Sequence, residues 1–110
     1  MTYSIEKKKD HTLISVEGDL DSAEVQDMRE DVEAVIGAGR PVIIDISKVE
    51  FIDSSGIGLI VHIYKSLTAR KIKVVLSGAS QQPLELLKAT QLDRFLTFSK
   101  TLEDARGVLV

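Results

Sequence analysis

Apolar residues recur along this chain with two periods, and each change of period marks an element. Ile5 to Lys8 and Thr12 to Glu17 read as two short strands joined by a polar turn at Lys9-Asp10-His11. In the second, Leu13, Ile14 and Val16 are set against Thr12, Ser15 and Glu17, the alternation of a half-buried strand. Gly18-Asp19-Leu20-Asp21 is expected to break it. From about Ser22 to Ile36 the spacing becomes helical, with Val25, Met28, Val32, Val35 and Ile36 on one stripe. Glu24, Asp27, Arg29, Glu30, Asp31 and Glu33 lie mainly off that stripe, so the helix is amphipathic and covers a sheet. Asp21 is placed to cap it, and Glu24 three positions on completes a capping-box pattern. Gly37-Ala38-Gly39 and Pro41 end it.

Val42-Ile43-Ile44-Asp45-Ile46 is apolar on both faces up to Asp45, the mark of a central strand covered by helices on both sides. A helix follows from about Ser55 to Ala69, then a short buried strand from Ile72 to Ser77. Gly78-Ala79-Ser80 leads to a helix near Pro83 to Ala89, where Pro83 fits the first turn because its missing N–H does no harm there. A strand near Leu96 to Phe98 and a helix from about Leu102 to Leu109, capped by Thr101, complete the chain. The order β-β-α-β-α-β-α-β-α predicts an α/β fold, a mixed sheet of about four to five strands with about four helices. Without repeats, low-complexity stretches or linkers, residues 1–110 read as one domain.

Composition narrows the function classes. The chain is 44% hydrophobic and 28% charged, ordinary globular material. Its longest apolar run, Ile57 to Val61 interrupted by Gly58, is far short of the roughly 20 residues that cross a bilayer. Thr2-Tyr3-Ser4-Ile5-Glu6-Lys7 lacks the pattern of a signal peptide. The absence of cysteine removes disulfide and thiolate chemistry and fits a cytoplasmic location. A net charge of −3 argues against nucleic acid, which demands a basic face. The one basic cluster, Lys7-Lys8-Lys9, is offset locally by Glu6 and Asp10, as in a solvated turn.

Chemistry concentrates in Phe51-Ile52-Asp53-Ser54-Ser55-Gly56-Ile57-Gly58, the junction between the central strand and the next helix. It is not a nucleophile elbow: no glycine precedes the serine at the required spacing, and His11 and His62 have no carboxylate suggesting a triad. It is not a phosphate-binding loop of a nucleotide hydrolase either, because no lysine follows the glycines. Asp19 and Asp21 alternate on a short turn but do not make a metal cluster. No cofactor or metal is expected, and His62 is assigned to the rim of its helix.

What remains is two hydroxyls, Ser54 and Ser55, at a helix N-terminus, where amides and the dipole favour an added phosphate. Such a serine is read as the substrate of another protein's kinase, and the chain as a binding switch rather than an enzyme. Capping by Asp53 or Ser54 stabilises by roughly 1 kcal/mol, whereas each glycine costs a helix about as much against alanine. Gly56 and Gly58 therefore imply an unusual bend or a close approach by another surface. Ile57, Ile60, Val61, Tyr64 and Leu67 make the predicted core stripe, with Ile63 at its edge. Leu59 falls roughly 120° from its centre and is expected to form a small exposed apolar patch beside the serines.

Val42-Ile43-Ile44-Asp45-Ile46-Ser47 followed by Phe51-Ile52-Asp53-Ser54-Ser55-Gly56-Ile57-Gly58 resembles the signature of the anti-sigma factor antagonist family. That family is the bacterial branch of the STAS domain (sulphate transporter and anti-sigma factor antagonist). Gly18-Asp19-Leu20-Asp21 resembles its Gly-Glu-Leu-Asp segment, and the likeness runs through nearly the whole chain. The resemblance implies a partner with a serine-kinase fold, commonly an anti-sigma factor, that phosphorylates the hydroxyl after the motif aspartate. That residue is Ser54, with Ser55 as second choice, and a metal-dependent serine phosphatase reverses the modification. Asp21, Asp53, Ser54, Ser55, Gly56, Ile57, Gly58 and Leu59 form the expected partner-binding face. Two other roles stay open: a STAS subunit docked on a membrane lipid or anion transporter, and a nucleotide-sensing domain. In Thr90-Gln91-Leu92 a glutamine stands where the family often has glycine, at a position favouring a left-handed helix cap.

Overall fold

The computed structural model describes residues 3–109; Met1, Thr2 and Val110 lie outside the described residues. Five strands, β1 (Tyr3–Lys7), β2 (Thr12–Leu20), β3 (Val42–Ile52), β4 (Val74–Ser77) and β5 (Phe98–Ser99), form one sheet in the order β1-β2-β3-β4-β5. β1 runs antiparallel to β2, and every later pairing is parallel. Three helices connect successive parallel strands, α1 (Ser22–Ala38), α2 (Ser54–Thr68) and α3 (Gln81–Ala89), and α4 (Leu102–Leu109) follows β5. A 3-10 turn at Leu92–Arg94, which no sequence pattern announced, lies between α3 and β5. The expected fold class and element order are both present.

Parallel neighbours bury the sheet on two faces, and the alternation of β2 and β3 divides the core accordingly. Ile14, Val16, Ile44 and Ile46 pack with Met28 and Val32 of α1 and with Ile60, Ile63 and Leu67 of α2. Leu13, Ile43 and Val75 point the other way and meet Ala105 of α4. Val42 to Ile44 are all buried, as their unbroken apolar run requires.

Two strands run longer than their hydrophobic patterns. Gly18-Asp19-Leu20 does not end β2, which continues to Leu20 opposite a bulged β3. β3 continues past Ile46 through Ile52, so residues 47–52 belong to the strand. The ladder slips between Ser15 and Glu17 and again between Gly18 and Asp19, each time with an additional residue on β3. Such bulges disturb the two-residue period on which strand reading rests. Gly18 has φ +85°, a left-handed value available to glycine.

Local chemistry sets the ends of α1 and α4. Asp21 caps α1, its Oδ1 accepting from the Glu24 amide at 3.1 Å. Only half of the capping box forms, because Glu24 Oε2 is buried without a partner. Burial, with the charges of Asp27 and Asp21 adding to it, raises the Glu24 carboxyl above its ordinary value. Gly39 closes α1 in the left-handed region, donating to Ile36 O at 3.2 Å. Thr101 Oγ1 accepts from the Asp104 amide at 3.1 Å and caps α4. Gln91 adopts φ 62°, the left-handed cap conformation expected there, without glycine.

The β1–β2 turn is tied down by Arg40, which donates to the carbonyls of Lys8, Lys9 and His11 and to Thr12 Oγ1. Lys8 pairs with Glu6 at 3.0 Å. Asp10 instead meets the buried His11, Oδ1 to Nδ1 at 2.8 Å. That bond holds the Asp10 carboxyl below its ordinary value.

Candidate functional site

Register places the site. Leu20 pairs with Ile52 across β2 and β3, so the next residue of each strand, Asp21 and Asp53, emerges at the same end of the sheet. Each caps the helix that follows it. Asp53 Oδ1 accepts from the amides of Ser55 at 2.9 Å and Gly56 at 3.1 Å, and its carbonyl accepts from Ile57 at 3.0 Å. The Asp53 amide donates to Leu20 O at 3.4 Å, tying the cap to β2.

This capping leaves Ser54 as the exposed first residue of α2, with Ser55 half-buried beside it. It also modifies the anion-site expectation. The Ser55 and Gly56 amides are already bonded to Asp53, so a phosphate on Ser54 projects into solvent next to a carboxylate, with the helix dipole as its remaining local support.

The two glycines have different reasons. A Cβ on Gly56 would collide with the carbonyl oxygen of Leu20 and lie 2.6 Å from Cγ1 of Ile52. Gly56 is buried and lets the first turn of α2 sit against the ends of β2 and β3. Gly58 is exposed, and a Cβ there would meet nothing within 4 Å. Its missing side chain serves no contact inside the molecule and leaves bare backbone next to Ser54 and Ser55.

Leu59 corrects the helical-wheel reading. It is buried, together with Gly56, Ile60, Ile63 and Leu67, while Ile57, Val61 and Tyr64 are only half-buried. α2 packs on the sheet beneath it and also against α1 beside it, so its buried arc is rotated toward α1. Leu59 forms part of the floor of an open groove of about 580 Å³ between the two helices, bordered by Ser22, Arg29, Ser55 and Gly58. The expected apolar patch of Leu59 is therefore absent from the surface. His62 is exposed, as assigned, and pairs with Glu33 of α1 at 2.7 Å.

Two residues at the site were not singled out along the chain. Phe51, paired with Asp19 and two positions before Asp53, is 45% exposed. Its signal was present: in a strand whose neighbour Ile52 is buried, alternation turns residue 51 the other way. Gln82 of α3 bonds both the amide and the carbonyl of Ile52, at 2.9 Å each. Nothing along the chain connects positions 30 residues apart. Among the described residues no group of His, Cys, Asp and Glu is arranged to hold a metal ion, and no helix is long and apolar enough to cross a membrane.

The STAS domain family model matches residues 2–105. The chain belongs to the STAS domain family. It is 31% identical over 111 aligned positions to the anti-sigma-B factor antagonist of Listeria monocytogenes, covering 97% of both chains. The Listeria innocua protein of the same name matches equally. Among solved structures, an anti-sigma factor antagonist from Mycobacterium paratuberculosis shares the fold with a TM-score of 0.89 at 24% identity, over 98% of this chain and 92% of that one. The anti-sigma factor antagonist SpoIIAA matches in its unphosphorylated form (TM-score 0.74, 21% identity, 94% and 93% covered). The phosphorylated form of Bacillus SpoIIAA matches as well (TM-score 0.76, 22% identity, 96% and 98% covered). Both forms of SpoIIAA thus match the fold of this chain.

Proposed function

We propose that this chain is an anti-sigma factor antagonist, a one-domain binding module of the cytoplasm switched by phosphorylation of Ser54. Unmodified, it binds an anti-sigma factor with a serine-kinase fold; that partner phosphorylates Ser54 and is released, and a metal-dependent phosphatase resets the switch. The observation that carries this reading is the exposed Ser54 hydroxyl at the start of α2, between the Asp53 cap and the bare backbone of Gly58. The names of the relatives at 31% identity favour it over a transporter subunit.

Electrostatics supplies the mechanism. Phosphate adds about −1.5 to −2 charge at pH 7. On the free domain that charge stays hydrated, and no buried contact of Ser54 needs to rearrange. Beneath a partner it loses water beside the Asp53 carboxylate, and misplaced like charge costs several kcal/mol across an interface. A penalty of ~3 kcal/mol weakens binding more than a hundredfold. Release therefore requires no change of fold.

Mass spectrometry of the chain incubated with a partner kinase and ATP is expected to place one phosphate on Ser54, and none on a Ser54→Ala variant. Ser54→Ala retains partner binding, whereas Ser54→Asp weakens it. Equal affinity of the two variants, or a phosphate confined to Ser55, overturns the assignment.

A further inference from the structure

β3 is paired on both sides only at its beginning. Val42 to Asp45 have β4 as neighbour, ending with Asp45 opposite Ser77. From there to Ile52 the described residues supply no strand on that side, although β2 follows on the other. At the last position the missing strand is replaced by a side chain. The Ile52 amide donates to Gln82 Oε1 at 2.9 Å, and Gln82 Nε2 donates to Ile52 O at 2.9 Å. A carboxamide presents an acceptor oxygen and a donor nitrogen side by side, so one side chain can serve both the amide and the carbonyl of Ile52, completing the ladder by a single rung.

The chain leading to Gln82 is shaped for that contact. Gly78 turns away from β4 at φ +82°, so close to Ser47 that a Cβ would lie 2.6 Å from the Ser47 Cβ. Gln81 holds φ +51°, a left-handed value unfavourable for a residue with a side chain. Pro83, buried in the first turn of α3, restricts the backbone immediately after Gln82. A strained residue in front and a rigid one behind persist only where surrounding contacts hold them, and the two bonds to Ile52 are such contacts.

We propose that Gln82 is the positioning residue of the Ser54 switch. By fixing the Ile52 peptide, it sets the direction in which β3 delivers Asp53 to the amides of Ser55 and Gly56, and hence how Ser54 is presented. α3 is thereby coupled to the switch without touching Ser54. The functional consequence rests on Ser54 being the modified residue; the bridge itself does not.

Amide hydrogen exchange on the whole chain tests the bridge. Gln82→Ala is expected to accelerate exchange at Ser55 and Gly56 at least tenfold while Ile14 and Ile44 in the core keep their protection. Gln82→Glu retains the acceptor for the Ile52 amide but loses the donor while ionised. It is expected to loosen the same amides at pH 7 and to recover as its carboxyl protonates, at a pH around 4. This reversible variant reads the bridge even where the alanine variant folds poorly. Unchanged exchange at Ser55 and Gly56, with only a lower melting temperature, would show that Gln82 merely holds α3 and would overturn the proposal. None of these readouts involves phosphate, so failure of Ser54 to be phosphorylated overturns the switch while leaving the bridge intact.

Discussion

Gly56 packs so closely on Leu20 that a side chain at residue 56 would occupy the space of the Leu20 carbonyl oxygen. The obstacle is backbone, which cannot swing aside as a flexible side chain can. Gly56→Ala is therefore expected to destabilise by about 2 kcal/mol or more, overpacking outweighing the gain in helix propensity. At Gly58 the space is open, and alanine is expected to stabilise by up to ~1 kcal/mol. Under the proposed function Gly58→Ala nevertheless loses partner affinity, because its methyl group stands where the partner approaches. Chemical denaturation and partner titration of both variants check this pair of opposite signs.

Asp53 separates capping from charge. Asp53→Asn keeps an oxygen able to accept from the Ser55 and Gly56 amides and is expected to change stability by no more than about 0.5 kcal/mol. Asp53→Ala removes the acceptor and is expected to cost about 1 kcal/mol. If the carboxylate also orients the Ser54 hydroxyl, phosphorylation slows in the asparagine variant while its melting temperature holds. Parallel melting and kinase assays distinguish the two effects.

Glu24 is expected to shape the pH dependence of stability. Burial raises its folded carboxyl pKa above the ordinary value, so the folded state retains the proton longer than the unfolded chain. Its stabilising contribution is complete below the unfolded pKa and is lost as pH rises through the raised folded pKa. Glu24→Gln, neutral at every pH, is therefore expected to melt higher than the parent at pH 7. That difference should shrink as pH falls through the carboxylate range. Melting curves from pH 3 to pH 8 test the sign.

Phe51 is exposed two positions before the Asp53 cap. Aromatic anchors dominate many interfaces, and nearly half of this residue is free to meet one. Phe51→Ala is expected to weaken partner binding at least tenfold, with stability lowered by only ~1 kcal/mol for the half of the ring that is buried. Calorimetric titration and thermal melting of the same preparation provide both numbers.

The order of elements and the capping roles of Asp21, Asp53 and Thr101 were legible along the chain. The junction holding Ser54 was legible too. All of these depend on residues within a few positions of one another, where periodicity and capping chemistry act. The 11-residue length of β3 was not, because bulged pairing with β2 carries it beyond its apolar run.

Three relations at the site arise only when distant segments meet. Leu59 is buried because α1 lies beside α2, Gly56 is required because Leu20 lies beneath it, and Ile52 is held because Gln82 reaches it from α3. Sequence by itself thus determined which residues gather at the junction between β3 and α2. Tertiary structure decided which of them face outward and what holds them, since steric contact and hydrogen bonding depend on distance in space rather than separation along the chain.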